Sequence, residues 1–200
     1  MNSYTAPLRD IRFALFDVLD AEALYQKLGI VHAQRDLMDA VLDEAAKFTQ
    51  NVLAPLNAIG DEHGCRYDKA TGAVTTPPGF KEAYAQFVDA GWTALTAPEA
   101  MGGQDLPESL GAAVKEMLDA ANLAWGNYPL LSHGAIEALK HHGEPWQQEV
   151  FLKPIISGQW TGTMCLTEAH AGSDLGMLKT RAEPTADNTY AISGTKIFIT

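Results

Sequence analysis

The chain has 200 residues, of which 46% are apolar and 20% charged, and a formal net charge of −11. This is an ordinary balance for a soluble globular chain with one sizeable core, and the negative excess argues against nucleic acid and against insertion into, or binding at, an anionic membrane. No apolar run approaches the roughly 18 residues of a membrane helix, and Cys65 and Cys165, with no CxxC spacing, fit reduced thiols in a cytoplasmic protein.

Residues 1–33 read as an N-terminal extension. "TAPLRDIRFALFDVLD" offers Leu8, Ile11, Phe13, Leu15 and Phe16 for packing on something larger, and it lacks the basic stretch and apolar core of a secretory signal. Residues 34–56 predict a helix: Leu37, Val41, Ala45, Phe48 and Val52 form one stripe, with Pro55 at its end. Residues 57–79, rich in Gly, Thr and Pro, read as loop. A helix from about Pro78 places Phe80, Tyr84, Phe87 and Val88 on one face. "AGWTALTAPEAMGGQDLP" is a long turn punctuated by Pro98, Gly102, Gly103 and Pro107. Three further helices are predicted: about 107–124 (Leu110, Val114, Met117, Ala121), about 128–142 (Ile136, Leu139) and about 145–156, with Pro145 in its first turn.

At Gly158 the pattern changes. "WTGTMCLTEA" reads as a short extended run, and "KTRAEPT", "TYAISG" and "TKIFIT" read as strands with turns at "ADN" and "SG". Helices followed by antiparallel strands make an α+β order: a helical domain over 34–158, then the first part of a β domain over 159–200. Thr200 falls inside the last strand, leaving an apolar edge prone to aggregation. The expectation is that these residues are the front of a longer polypeptide or a piece of one.

The chemistry-bearing stretch is "MCLTEAHAGSDLGMLKT", residues 164–180. The Thr167 hydroxyl can donate and accept, which suits a ring with carbonyl and N–H edges. "AGSD" offers successive backbone N–H groups in a glycine-permitted turn that can nest an anion, with the Ser173 hydroxyl as one more donor. Asp174 can cap the next turn of chain. From spacing alone, a structural turn at a strand end remains open. Glu168 and His170 read as bystanders, no second ligand stands at metal spacing, and His141 and His142, adjacent on a helix, point apart. Ser173 lacks a Gly-x-Ser-x-Gly elbow. In "KIFIT", alternation puts Phe198 and Thr200 on one face, where an aromatic and a hydroxyl could flank a flat heterocycle or simply pack across strands.

"MCLTEAHAGSDLGMLKTRA" followed by "YAISGTKIFIT" resembles the flavin signature of acyl-CoA dehydrogenases, and "GWTALTAPEAMGGQDLP" resembles their Gly-Trp … Pro-Glu-x-x-Gly-Gly-x-x-x-Pro segment. The extension is similar to that of the longer-chain branch containing 3-methylthiopropionyl-CoA dehydrogenase. The resemblance implies an N-terminal helical domain, a β domain, and a C-terminal helical bundle absent from these residues. It implies FAD, with Met164, Leu166 and Thr167 bordering the flavin ring, Gly172 and Ser173 at the diphosphate, and Phe198, Ile199 and Thr200 completing the contacts. Ser173 would also touch the CoA arm of the thioester. The implied reaction is α,β-dehydrogenation of an acyl-CoA, with a carboxylate base beyond residue 200, electrons passed to an electron-transfer flavoprotein, and a homodimer or homotetramer as the assembly. An acyl-CoA oxidase, a flavin monooxygenase or a non-catalytic assembly module on the same scaffold are the alternatives. One departure is Ala169, where the family usually has Pro; only a small effect on flavin retention is expected.

Overall fold

The computed structural model describes residues 4–187 and 189–199. Its body is helical, and two short antiparallel hairpins fit the α+β expectation. The extension does not hang free. Helix α1, residues 8–18, buries Ile11, Leu15 and Phe16 in the same core as the later helices, while Phe13 is exposed. Arg12 straps it down, its Nε donating to Asp39 Oδ1 at 2.7 Å and its Nη2 lying 2.9 Å from Asp43 Oδ1. Helix α2, Ala21–Lys27, buries Ala21 and Tyr25.

Helix α3, residues 35–63, runs through Pro55 rather than stopping there. It is regular over Arg35–Phe48, widens by one turn over Thr49–Leu53, and is regular again over Ala54–His63. Proline lacks an amide and clashes with the carbonyl four residues back, and a widened turn just before it relieves both. Buried Thr49, the first residue of the wide turn, donates its hydroxyl back to the Ala45 carbonyl at 2.9 Å. The same device recurs in α6, residues 145–156, where the wide turn Gln148–Leu152 precedes Pro154.

The buried face of α3 is one step round from the stripe that periodicity predicts. Met38, Leu42, Ala45, Thr49 and Leu53 are buried, Val41, Phe48 and Val52 flank them, and Leu37 is exposed. The region expected as loop after residue 57 instead continues as helix to His63 and then forms the exposed hairpin β1 (Arg66–Tyr67) and β2 (Val74–Thr75).

Helix α4, Phe80–Asp89, presents Ala83 and Phe87 to the core. Helix α5, Glu108–His142, is broken at Asn122, whose φ of −160° and ψ of 89° are not helical. The break lies earlier than the 124–128 gap expected from periodicity. Asn122 is buried. Its Oδ1 accepts the Trp125 amide three residues on at 3.1 Å, capping the second half, and its Nδ2 donates to the Leu53 carbonyl at 3.3 Å. The main core joins α1 to α4 with the first half of α5 and with Trp125 just past the break. A smaller cluster of Ala97, Ile136, Leu152, Ile155 and Ile156 joins the second half of α5 to α6. Among the described residues no helix is long and apolar enough to cross a membrane.

Beyond α6 the hairpin of β3 (Arg181–Pro184) and β4 (Tyr190–Ser193) pairs Arg181 with Ser193 and Pro184 with Tyr190. Residues 161–167 run without a ladder, and residues 195–199 do not form the third strand expected at "TKIFIT". Among the described residues one backbone rung, the Ile197 amide to the Thr167 carbonyl at 2.9 Å, joins these two segments. Phe198 has a φ of 54°, outside the extended backbone on which strand alternation depends. Thr200 lies outside the described residues.

Candidate functional site

Two features meet where the helical body hands over to the hairpin. The first is a cavity of about 250 Å³ between α4, the turn before α5 and the two halves of α5. Its walls include Leu95, Val114, Leu118, Leu130 and Ile136, with Glu108, Lys115 and His133 bringing charge to the lining. The second is the segment 162–180. It leaves the body at Gly162, whose amide donates at 3.1 Å to the hydroxyl of Ser132, itself part of the cavity wall.

The segment folds around one side chain. Glu168 and Ala171 exchange both backbone bonds at 3.0 Å, a tight turn that includes exposed Ala169. The Glu168 carboxylate points inward, its side chain only 3% exposed. It accepts the Lys179 and Thr180 amides at 2.9 Å each and the Lys196 ammonium at 3.0 Å, and lies 3.3 Å from His170 Nε2. Its own donors shield it from water. The Lys196 ammonium also donates to the Leu166 carbonyl at 2.8 Å, and His170 bonds the Met177 carbonyl at 3.1 Å. The nearby Thr180 hydroxyl, the two amides and Lys196 hold the Glu168 carboxyl far below the usual carboxylate range. In the Thr185–Thr189 turn of the hairpin, hydroxyl donors on both sides, Thr185 first, lower Asp187 to about 2.

A depressed carboxyl contributes its bonds fully above its unfolded value and loses them as pH falls through its folded one. An ordinary glutamate is half protonated at about pH 4.3. Glu168 is therefore expected to remain ionised through that point, with the cradle loosening only in stronger acid. A carboxyl-carbon NMR titration checks this, and a midpoint at or above about pH 4 contradicts it.

The residues singled out in the sequence are brought onto one segment and one neighbouring strip. Thr167 is half-buried, and a methyl placed on Gly172 would come within 3.9 Å of its Cγ2, so the two are neighbours. Met164 is exposed, Leu166 half-buried, and Gly172 and Ser173 exposed. Phe198 and Ile199 are exposed on the strip held by the Ile197 rung. Among the described residues, the hydroxyls of Thr167 and Ser173 and the amides of Gly172, Ser173 and Asp174 form no bond to protein, so these donors are left for another partner. Gly172 does not use a left-handed backbone, so the donors come from an ordinary turn. Asp174 caps as expected, accepting the Gly176 amide at 3.1 Å at the start of the single turn Leu175–Met177.

Sequence reasoning missed the role of Glu168 and Lys196. Their bonds span 11, 12 and 28 residues, beyond the reach of local pattern. The one available signal was a carboxylate and an amine set in otherwise apolar or glycine-rich stretches.

A family model for the acyl-CoA dehydrogenase N-terminal domain matches residues 36–159. The chain is 43% identical to 3-methylmercaptopropionyl-CoA dehydrogenase of Ruegeria pomeroyi over 203 residues, covering 99% of this chain and 33% of that protein. It is 35% identical to a butyryl-CoA dehydrogenase of Syntrophomonas wolfei, again over 99% of this chain and 33% of the relative. Among solved structures, butyryl-CoA dehydrogenase from Megasphaera elsdenii superposes with a TM-score of 0.69 at 26% identity, covering 83% of this chain and 41% of that one. The chain thus spans about a third of the length of the curated relatives it matches.

Proposed function

Since the chain belongs to the acyl-CoA dehydrogenase family, we propose that it forms the front of an FAD-dependent enzyme that converts an acyl-CoA thioester to the 2-enoyl-CoA. The substrate class is 3-methylthiopropionyl-CoA or a short- to medium-chain acyl-CoA. An electron-transfer flavoprotein takes the electrons, and the enzyme works as a cytoplasmic homodimer or homotetramer. The observation that carries the reading is the set of donors without a protein partner on one folded segment, Thr167 at one end and Gly172 with Ser173 at the other, beside exposed apolar side chains.

These residues fit a flavin dinucleotide. The Thr167 hydroxyl suits the polar edge of the ring, and Met164, Leu166, Phe198 and Ile199 offer apolar cover for its faces. The amides of Gly172 and Ser173, with the Ser173 hydroxyl, suit the diphosphate, which the net charge of −11 would otherwise repel. Ser173 also suits the CoA arm. When bound, FAD supplies the electron sink for the hydrogen leaving the β carbon.

No carboxylate here is assigned as the base that takes the α proton. Glu168 is committed to its donors, and a carboxyl held so far below the usual range is a poor proton acceptor. The cavity of about 250 Å³ between the halves of α5, with Leu95, Val114, Leu118, Leu130 and Ile136 on its walls, is the place proposed for the acyl tail.

The test is anaerobic addition of acyl-CoA thioesters to the FAD-loaded complete polypeptide. Short and medium chains are expected to bleach the flavin, and reoxidation in air is expected to be slow. Rapid peroxide production would favour an oxidase instead.

A further inference from the structure

We propose that Glu168, working through Lys196, is the positioning residue of this cradle, setting the spacing between the ring-edge donor Thr167 and the phosphate-end donors Gly172 and Ser173; this rests on the proposed flavin site. One carboxylate joins three separate stretches. Its backbone turns the chain at Glu168–Ala171, which leads directly into Gly172 and Ser173. Its side chain clamps the far end of the segment at the Lys179 and Thr180 amides, so the loop that bears those donors closes on itself. Lys196 then binds that carboxylate and the Leu166 carbonyl together. The next residue along, Ile197, donates its amide to the Thr167 carbonyl and fixes Phe198 and Ile199 alongside.

The backbone of Thr167 is therefore gripped on both sides, by Lys196 on the Leu166 carbonyl and by Ile197 on its own carbonyl. Its hydroxyl stays free. Neither Glu168 nor Lys196 needs to touch the cofactor. Without Lys196 the carboxylate keeps its two amide donors, and a glutamine at 168 can still accept from them, so either change falls on the link to the strip rather than on the fold. Because the two act through the same contact, their effects are expected to be strongly non-additive.

The experiment measures FAD affinity in the complete polypeptide for wild type, Glu168→Gln, Lys196→Met and the double variant. Visible flavin spectra and the thermal midpoint of each apoprotein are recorded alongside. Each single change is expected to raise the FAD dissociation constant at least tenfold, and the double no more than threefold beyond the larger single. The residual bound flavin is expected to show a shifted visible band, with the apoprotein midpoint held within a few degrees. Asp187→Asn, in the hairpin turn away from the cradle, is expected to leave affinity unchanged.

Lys196→Met keeps the carboxylate and its amide bonds, so it reports even if Glu168→Gln does not fold. Wild-type affinity and spectrum in either single variant would overturn the positioning role alone. Losses that add fully, or that appear only with collapse of the apoprotein midpoint, would also overturn it. Wild-type polypeptide that binds no FAD would instead remove the proposed function, and this inference with it.

Discussion

Gly103→Ala is expected to destabilise the helical body by about 3 kcal/mol or more, the upper end of what overpacking costs. The turn between α4 and α5 folds back on itself: the Gln104 amide bonds the Ala94 carbonyl and the Asp105 amide the Ala97 carbonyl, each at 2.9 Å, and the Leu106 amide bonds the Leu95 carbonyl at 3.1 Å. Residues 103–106 thus lie directly against 94–97. A methyl on Gly103 would stand 1.9 Å from the Ala97 carbonyl oxygen and 2.2 Å from its carbon. Those are backbone atoms held by the bonds just described, so they cannot rotate aside as a side chain would. Relief requires opening the turn, which carries Leu95 on the cavity wall and sets the start of α5. Its neighbour Gly102 is required for a different reason, a φ of 90°. Chemical denaturation of wild type and variant checks the expectation; a loss under about 1 kcal/mol contradicts the packing described.

Trp125→Ala is expected to cost about 3–5 kcal/mol, the range for emptying a large aromatic site in a core. Trp125 is 3% exposed and meets Phe87 edge-on at 5.3 Å between ring centres, with Phe48 at 6.1 Å and Tyr84 at 6.4 Å. Its indole N–H donates to the Phe80 carbonyl at 3.3 Å, so one side chain joins α3, α4 and α5. It also lies just past the Asn122 break, and its amide is the group that Asn122 caps. Trp125→Phe keeps most of the packing while losing the N–H, and is expected to cost clearly less. Equal losses in the two variants would show that the hydrogen bond, rather than the ring volume, dominates.

The helical body is legible in the sequence because its signal is local. Apolar residues at helical spacing place α4, both halves of α5 and α6, and Pro145 marks the start of α6. The features that escape a local reading depend on partners far along the chain. The stripes Leu37–Val41 and Met38–Leu42 are equally apolar, and the choice falls to the docked extension, where Arg12 reaches Asp39 and Asp43. Pro55 reads as a stop, yet the wide turn Thr49–Leu53 before it lets the helix continue. Asn122 looks like any mid-helix polar residue until its bond to the Leu53 carbonyl is seen. The cradle divides in the same way. The Asp174 cap acts across two residues and is visible in the sequence. Glu168, acting across as many as 28, reads there as a bystander.

Segment 162–180 and the strip at 196–199 are proposed to form a flavin cradle serving acyl-CoA oxidation. The decisive measurement is anaerobic titration of the FAD-loaded complete polypeptide with short- and medium-chain acyl-CoA, run beside Thr167→Val. Bleaching of about one flavin per chain is expected in wild type, with flavin binding or reduction at least tenfold weaker in the variant. A polypeptide that neither retains FAD nor is reduced by any acyl-CoA, or a Thr167→Val variant identical to wild type, would contradict the proposal.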